Sequence, residues 1–242
     1  MRALSSADIL TIWEGGSAQH PIDRALTVLT AAGKRRSDLA RLPIGERDRQ
    51  LWDVREATFG SNVEALIPCP ACGERMEFQF SVSDIAVPRC DGSGAEHELH
   101  EGDWFVRFRL PESRDLVVIV TANGPSRAEA ELAAQCLVIA ERNGSETSTA
   151  EVPRDVWEAI QRKMSELDPQ AEVNFALSCP ACRHEWRALF DIADFLWTEI
   201  AAFARRLLRE VDLLARAYGW SEKEILALSP ARRQSYLKLA ST

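Results

Sequence analysis

The chain has 242 residues, which corresponds to one or two globular domains, and 46% of them are hydrophobic. This composition excludes a wholly disordered chain and collagen-like repeats, and no apolar run is long enough to predict a transmembrane helix. The net charge of −8 argues against general binding to nucleic acid or anionic lipid. Because Asp8 precedes any apolar stretch, no secretory signal is predicted and we expect a cytoplasmic chain.

Helical periodicity dominates the N-terminal quarter of the chain. Apolar side chains recur there at intervals of three or four positions, which is typical of amphipathic helices. The predicted helices are 6–13, 21–33 and 44–59. Pro21 suits the first turn of the second helix, and Gly60 is expected to end the third in the left-handed conformation. Residues 1–62 therefore form a predicted N-terminal helical region.

The following segment changes to strand-like alternation. Apolar and polar residues alternate over 76–82 and again over 104–110, and each stretch is a predicted half-buried strand. Residues 116–121 are short and β-branched, and they are the predicted partner of the second strand. The Gly-rich, acidic and histidine-bearing stretch 89–102 is predicted to be a loop.

Two helices separated by a linker are predicted next. A capping-box pattern at Ser126 predicts a helix as far as Arg142. The small polar residues that follow predict a flexible linker at about 143–151. The next helix is predicted to begin at Pro153 and to end before Asp168, which precedes a proline.

The C-terminal quarter is also predicted to be helical. An apolar stripe with heptad-like spacing predicts one long helix over about 194–218, with Gly219 as its stop. The stripe consists of Leu196, Ile200, Phe203, Leu207, Val211, Leu214 and Tyr218. Two short helices are predicted to begin at Ser221 and Ser229, both of which carry capping patterns. Residues 191–242 form the predicted C-terminal helical region.

Positive charge is concentrated in this C-terminal region, although the whole chain is acidic. The arginines of the predicted long helix are Arg205, Arg206, Arg209 and Arg216. A helix face with these arginines is either a solvated surface or a docking site for an acidic partner. The apolar stripe of the same helix belongs either to the core or to an interface with a partner helix. We predict that the four arginines bind a partner.

Four of the six cysteines form two identical Cys-Pro-Ala-Cys tetrapeptides. An alternating segment precedes each tetrapeptide and another follows it; around the second these segments are 173–177 and 184–190. Each tetrapeptide is therefore the predicted turn of a β-hairpin. Gly73 directly follows the first one, at a point where a left-handed backbone is often required.

These paired cysteines predict a zinc site. Zinc takes four thiolate or imidazole ligands at tetrahedral corners, at about 2.3 Å from each sulfur, and two such turns supply four thiolates. Because Cys72 and Cys179 are 107 positions apart, the segment between them must be an insertion whose ends return to the same place. We predict one structural zinc ion bound by Cys69, Cys72, Cys179 and Cys182, within a zinc-ribbon region that spans residues 63–190.

Two other uses of the cysteines stay open. A competing ligand set takes one tetrapeptide, a loop cysteine and one histidine, and it leaves the second tetrapeptide for another site. Its members are Cys69, Cys72, Cys90 and either His97 or His100. The other alternative is redox chemistry, in which a Cys-Pro-Ala-Cys sequence begins a helix that lowers the thiol pKa; the strand-like residues after each pair argue against it. Cys136 is expected to be a buried small hydrophobe.

No catalytic motif is present. The four histidines do not occur in an HExxH pattern, and neither GxSxG nor GxxxxGK[ST] occurs in the chain. A closed four-cysteine zinc site also leaves no open position for a substrate or for water. The sequence therefore predicts a protein that is not an enzyme.

Several segments carry a family resemblance. They are 44–48 and 55–60 before the first tetrapeptide, 168–171, Trp186, 190–191 and 195–200 around the second, and 217–222, 225–229 and 232–237 in the tail. In these segments the chain resembles small proteins encoded among phage-type tail genes and in contractile injection-system clusters. This family is akin to the baseplate hub or hub-assembly protein of T-even phages.

The resemblance implies a non-enzymatic role in building a baseplate, as a hub component or as an assembly chaperone. It implies baseplate or tail hub proteins as partners, and a place in the cytoplasm or within a phage-like particle. The zinc prediction rests on the cysteines alone. A nucleic-acid-binding zinc ribbon is the alternative function, but acidic residues interrupt the arginines of its strands. A CxxC redox protein is the second alternative.

The predicted fold class is α+β. Central antiparallel zinc-ribbon strands are expected between N-terminal helices and a long C-terminal helix with two short helices after it. An inserted α/β segment is expected to separate the two halves of the ribbon.

Overall fold

The computed structural model describes residues 1–85, 94–116 and 124–240. The helices of these ranges are α1 (Ser6–Gly16), α2 (Pro21–Ala31), α3 (Arg36–Leu39), α4 (Ile44–Phe59), α5 (Val82–Ile85), α6 (Pro125–Cys136), α7 (Arg154–Leu167), α8 (Ile192–Tyr218), α9 (Glu222–Ala227) and α10 (Pro230–Ala240). The strands are β1 (Asn62–Pro68), β2 (Arg75–Ser81), β3 (Glu96–Glu101), β4 (Trp104–Arg109), β5 (Leu137–Arg142), β6 (Ser145–Glu146), β7 (Asn174–Ser178) and β8 (Glu185–Leu189). This mixture of helices and antiparallel strands confirms the predicted α+β class. None of the described helices combines the length and the apolar character that crossing a bilayer requires.

The strands belong to two hairpins and one larger antiparallel sheet. β1 pairs with β2, and β7 pairs with β8, while the larger sheet has the order β3-β4-β5-β6. Pro68 lies opposite Arg75 in the first hairpin, and Ser178 lies opposite Glu185 in the second. Each hairpin loop therefore contains one Cys-Pro-Ala-Cys tetrapeptide, as the sequence predicts. The larger sheet lies between the two hairpins in the chain.

Helices α1, α2, α4 and α8 enclose the larger hydrophobic core. The apolar stripe of α8 faces this core, and Ile200, Leu207 and Leu214 are fully buried. Tyr218, at the end of the stripe, is exposed. Most of the stripe thus belongs to the protein's own core, which is one of the two uses that the sequence leaves open. The spacing of apolar residues alone does not distinguish these two uses.

A second hydrophobic core lies within the segment between the hairpins. β4 supplies Trp104, Val106 and Phe108, and α7 supplies Val156 and Ile160. The apolar face of α7 covers the sheet, and Val156 and Ile160 are each 1% exposed. This core gives the segment a packed interior of its own.

The N-terminus of α4 joins this segment to the helical body. The Gly45 amide donates to Asp168 Oδ2 at 2.8 Å, and the Ile44 amide donates to the carbonyl of Pro111 at 3.1 Å. A Cβ atom on Gly45 would lie 2.0 Å from Asp168 Oδ1, so the close approach requires glycine. This contact fixes the position from which the chain enters the second hairpin.

The C-terminal helices are attached to α8 by a buried ion pair. Arg233 Nε lies 2.7 Å from Glu210 Oε2, and the two side chains are 3% and 8% exposed. Gln234 Nε2 donates to the other oxygen of Glu210 at 3.1 Å. Because both carboxylate oxygens are bound, α10 is held in one position on α8.

Residues 96–101 form strand β3, although the sequence predicts a loop there. His97 lies opposite Phe108 and Leu99 lies opposite Val106 on the neighbouring strand β4. The glutamates between them are exposed, so the strand has a polar outer face. Pairing with β4, rather than any local apolar pattern, stabilises this edge strand, and the loop prediction is therefore wrong.

The predicted helix 126–142 is too long. It ends at Cys136, and the next six residues form β5, because Val138 and Ile139 are β-branched and the segment pairs with β4. Residues 117–121 of the predicted strand lie outside the described part of the chain. In the predicted linker, the structure places a turn and the short strand β6.

Candidate metal centre

The loop of each hairpin is a tight turn that its own backbone stabilises. In the first, the Cys69 amide donates to the carbonyl of Glu74 at 2.8 Å, and the Gly73 amide donates to the carbonyl of Cys69 at 2.9 Å. In the second, the corresponding bonds run from Cys179 to His184 and from Arg183 to Cys179, each at 2.9 Å. The two loops therefore have the same hydrogen-bonding pattern. We call them the first and the second knuckle.

The knuckles differ at the residue that follows the second cysteine. Gly73 has a φ of +77° in the first knuckle, and Arg183 has a φ of +60° in the second. Both values lie in the left-handed region, which glycine enters freely and other residues rarely enter. The glycine at position 73 allows this turn to be predicted from the sequence. An arginine at position 183 does not indicate a left-handed backbone.

The four knuckle sulfur atoms converge. Cys69 Sγ lies 3.7 Å from Cys182 Sγ, and Cys72 Sγ lies 3.6 Å from Cys179 Sγ. All four sulfurs lie within 4.8 Å of one another. In a regular zinc–thiolate tetrahedron the sulfurs are about 3.8 Å apart, so the cluster has the dimensions of a site that can hold a metal ion.

An aromatic cluster holds the two hairpins against each other behind the knuckles. Phe80 of β2 lies 4.7 Å from Phe175 of β7 between ring centroids, and Phe80 and Phe190 meet edge to face at 5.4 Å. Trp52 of α4 stacks on Phe190 at 5.4 Å. These contacts connect both hairpins to the larger core. They place the knuckles independently of any ion.

The surroundings of the thiols favour ionisation at one of them. Burial raises the pKa of Cys69, but backbone N–H groups of Cys72 and Ala71 and the nearby sulfurs outweigh it and lower the pKa to about 7. At Cys72 the backbone N–H of Glu74 lowers the pKa, whereas the neighbouring sulfurs and burial raise it to about 12 overall. Four thiolates this close repel one another, and a bound cation would remove that repulsion.

The burial of the cluster is uneven. Cys69 and Cys179 are buried, whereas Cys72 and Cys182 are exposed. One cysteine of each knuckle thus faces the protein and the other faces solvent. The set contains four soft sulfur ligands and no carboxylate, which suits a tetrahedral structural site for zinc.

The competing uses of the cysteines do not fit this geometry. Cys69 and Cys72 meet the second pair, whereas His97 lies on β3 with its ring 5.8 Å from that of Phe108. Cys90 lies outside the described residues. Each tetrapeptide joins two strands instead of beginning a helix, so the helix dipole of a redox motif is missing. Cys136 is buried, as predicted, and burial raises its pKa to about 12.

The four arginines of α8 fall into two pairs. Arg206 Nε lies 3.6 Å from Glu210, and its guanidinium stacks over Phe203. Arg216 Nε lies 2.9 Å from Asp212. Arg205 and Arg209 are exposed, one helical turn apart, and have no ion pair among the residues that the structure describes. Arg205 and Arg209 are therefore the arginines of this helix that no acidic side chain of the described residues neutralises.

The comparisons with known proteins give one match. A family model described as "T4 bacteriophage base plate protein" matches residues 10–197, which include both knuckles and the segment between them. Among the curated proteins and the solved structures, no significant similarity to the chain was found.

Proposed function

Since the chain belongs to the T4 bacteriophage base plate protein family, we propose that it is a non-enzymatic hub component or assembly chaperone of a phage-like baseplate. It acts in the cytoplasm of the producing cell or within the assembled particle, and baseplate or tail hub proteins are its partners. The family match over residues 10–197 is the observation that carries this proposal.

The proposed cofactor is one structural zinc ion. The support for it is the set of four convergent sulfurs, with contacts of 3.6 and 3.7 Å between the two knuckles. Cys69, Cys72, Cys179 and Cys182 are the proposed ligands. When bound, zinc links the first hairpin to the second, so that its binding free energy becomes folding free energy.

The proposed partner-binding surface is the basic face of α8. Its four arginines are Arg205, Arg206, Arg209 and Arg216, and we assign the leading part to Arg205 and Arg209 because they have no acidic partner among the described residues. The apolar side of the same helix is buried in the core, so recognition rests on charge. A partner that fits this surface presents carboxylates spaced to meet both arginines.

The test of this surface is a double charge reversal, Arg205→Glu with Arg209→Glu. Because exposed helix charges contribute less than about 1 kcal/mol to stability, the variant should fold and retain its metal. It should nevertheless co-purify less with hub proteins and lower the yield of assembled baseplates.

The matched control is Arg154→Glu with Arg162→Glu on α7, where both side chains are exposed and the change in net charge is the same. The control should assemble normally. Wild-type assembly by the Arg205→Glu, Arg209→Glu variant would mean that the basic face is only a solvated surface.

A further inference from the structure

Two close contacts among the clustered thiols cross between the knuckles. Cys69 meets Cys182 at 3.7 Å, and Cys72 meets Cys179 at 3.6 Å, although the members of each pair are more than a hundred positions apart in the chain. Each contact joins one buried cysteine to one exposed cysteine. The arrangement therefore brings thiols of the two knuckles close enough for oxidation to join them, and it also offers four ligands for a metal.

We propose that the knuckles are a thiol modification site, at which a small-molecule disulfide such as oxidised glutathione forms the crossed bonds Cys69–Cys182 and Cys72–Cys179 once no metal protects the sulfurs. The two bonds join the hairpins that zinc joins in the proposed function. The two disulfides would thus link the hairpins covalently in place of the metal. This inference depends on the proposed metal site in one respect: any bound ion must be removed before the thiols can react.

The reaction proceeds by thiol–disulfide exchange. The thiolate of one member of the Cys69–Cys182 pair attacks oxidised glutathione, forms a mixed disulfide and releases one glutathione thiolate, which takes up the proton that the attacking thiol gave up. The thiolate of the other member then attacks the protein sulfur of that mixed disulfide and releases the second glutathione. Two cysteine thiols are oxidised for each glutathione disulfide reduced. Cys72 and Cys179 react in the same way with a second molecule of oxidised glutathione.

The competing products are local disulfides within each tetrapeptide. Their cysteines are three positions apart, so loop-closure entropy favours them in an unfolded chain. In the folded chain, the hydrogen bonds of each knuckle and the contact of Phe80 with Phe175 hold the two loops face to face. A crossed pair must approach by only about 1.6 Å to reach the S–S bond length, which side-chain rotation supplies.

The experiment oxidises the full-length chain in its folded state. The protein is freed of metal with a chelator, its fold is checked by near-UV circular dichroism, and it is then treated with oxidised glutathione. Peptide mapping without reductant should find Cys69 linked to Cys182 and Cys72 linked to Cys179. The same treatment in concentrated guanidinium chloride should give the local pairs instead.

Two variants sharpen the result. Cys179→Ser should retain the Cys69–Cys182 bond and lose the other, whereas Cys136→Ser should leave the map unchanged because that thiol is buried. Local pairs as the main product in the folded wild-type chain, or thiols that stay unoxidised, would overturn the proposal. Mapping of the wild-type chain decides the question even when Cys179→Ser does not fold. Neither result depends on baseplate assembly, so failure here is distinct from failure of the proposed function.

Discussion

At the scale of single residues, Arg183 is the unusual member of the second knuckle. It occupies the place in the second knuckle that Gly73 occupies in the first, and both have positive φ. A side chain in the left-handed region costs about 1–2 kcal/mol relative to the right-handed one, whereas glycine avoids that cost. The exposed guanidinium makes no ion pair with the described residues that would offset this strain.

Replacement of this arginine by glycine should therefore stabilise the protein. We expect Arg183→Gly to raise the free energy of unfolding by up to about 1 kcal/mol, because relief of the strain exceeds the entropy that glycine adds to the unfolded chain. Urea unfolding of the metal-loaded protein measures the effect. Arg187→Gly is the control; it lies in the paired strand β8, where glycine should cost about 0.5–1 kcal/mol. A less stable Arg183→Gly protein would contradict the argument.

Asp48 shows how burial acts on a single carboxyl group. Burial raises its pKa to about 6, and the adjacent Arg47, whose Nη2 lies 2.6 Å away, only partly opposes the effect. Asp168 and Asp191 add repulsion that acts in the same direction as burial. At neutral pH the folded protein therefore holds a carboxylate at a position that favours the protonated acid.

The pH dependence of stability should reveal this group. Because the folded pKa is raised, its contribution to stability is full below pH 4 and is lost as the pH rises through about 6. Relative to Asp48→Asn, the wild-type protein should lose up to about 3 kcal/mol between pH 4 and pH 7. Urea unfolding across this pH range gives the free energy of unfolding of both proteins. Effects of metal release cancel in the difference between them because they are common to both. Parallel pH profiles would show that Asp48 does not titrate in this way.

At the scale of elements, the attachment of α10 to α8 depends on charges buried between helices. Arg233 and Glu210 are both nearly inaccessible, so removal of the arginine leaves a buried carboxylate without its closest cation. Arg233 Nη2 also donates to Ser6 Oγ at 3.4 Å, which brings α1 into the same contact. Arg233 thus connects the C-terminal helix to both α8 and α1.

Truncation of that side chain should release α10. We expect Arg233→Ala to cost about 2 kcal/mol, because Glu210 would remain buried with only the longer contact to Arg206 and the amide of Gln234 as partners. The neighbouring Arg232 is exposed, so Arg232→Ala should change stability by less than about 0.5 kcal/mol. Thermal unfolding compares the two variants, and hydrogen exchange should locate the loss of protection in 230–240. Equal stability of the two variants would contradict the assignment.

The helices and strands also show which parts of the fold can be predicted from the sequence. Helix α4 has the predicted bounds, and each tetrapeptide lies in a hairpin, because these patterns are local: helical periodicity in one case and alternation around a turn in the other. Strand β3 and the end of α6 at Cys136 are set by pairing with β4, which no local pattern records. The contact between Phe80 and Phe175 likewise depends on how distant segments meet.

At the scale of the whole molecule, the four-cysteine cluster lies where the two ends of the inserted segment meet. The first hairpin follows the N-terminal helices and the second precedes α8, so a metal bound by both connects the two halves of the chain that build the larger core. The segment between them has its own core and enters the second hairpin from the contact of Gly45 with Asp168. Zinc would add to a junction that the aromatic cluster already forms.

Metal analysis of the purified protein tests the central claim, that four cysteines of two distant knuckles bind one zinc ion. The wild-type protein and Cys136→Ser should each contain about one zinc per chain, whereas Cys179→Ser should lose most of it, because three thiolates leave the tetrahedral site open. Full zinc occupancy in Cys179→Ser, or a wild-type protein that is folded and free of metal as purified, would contradict the account.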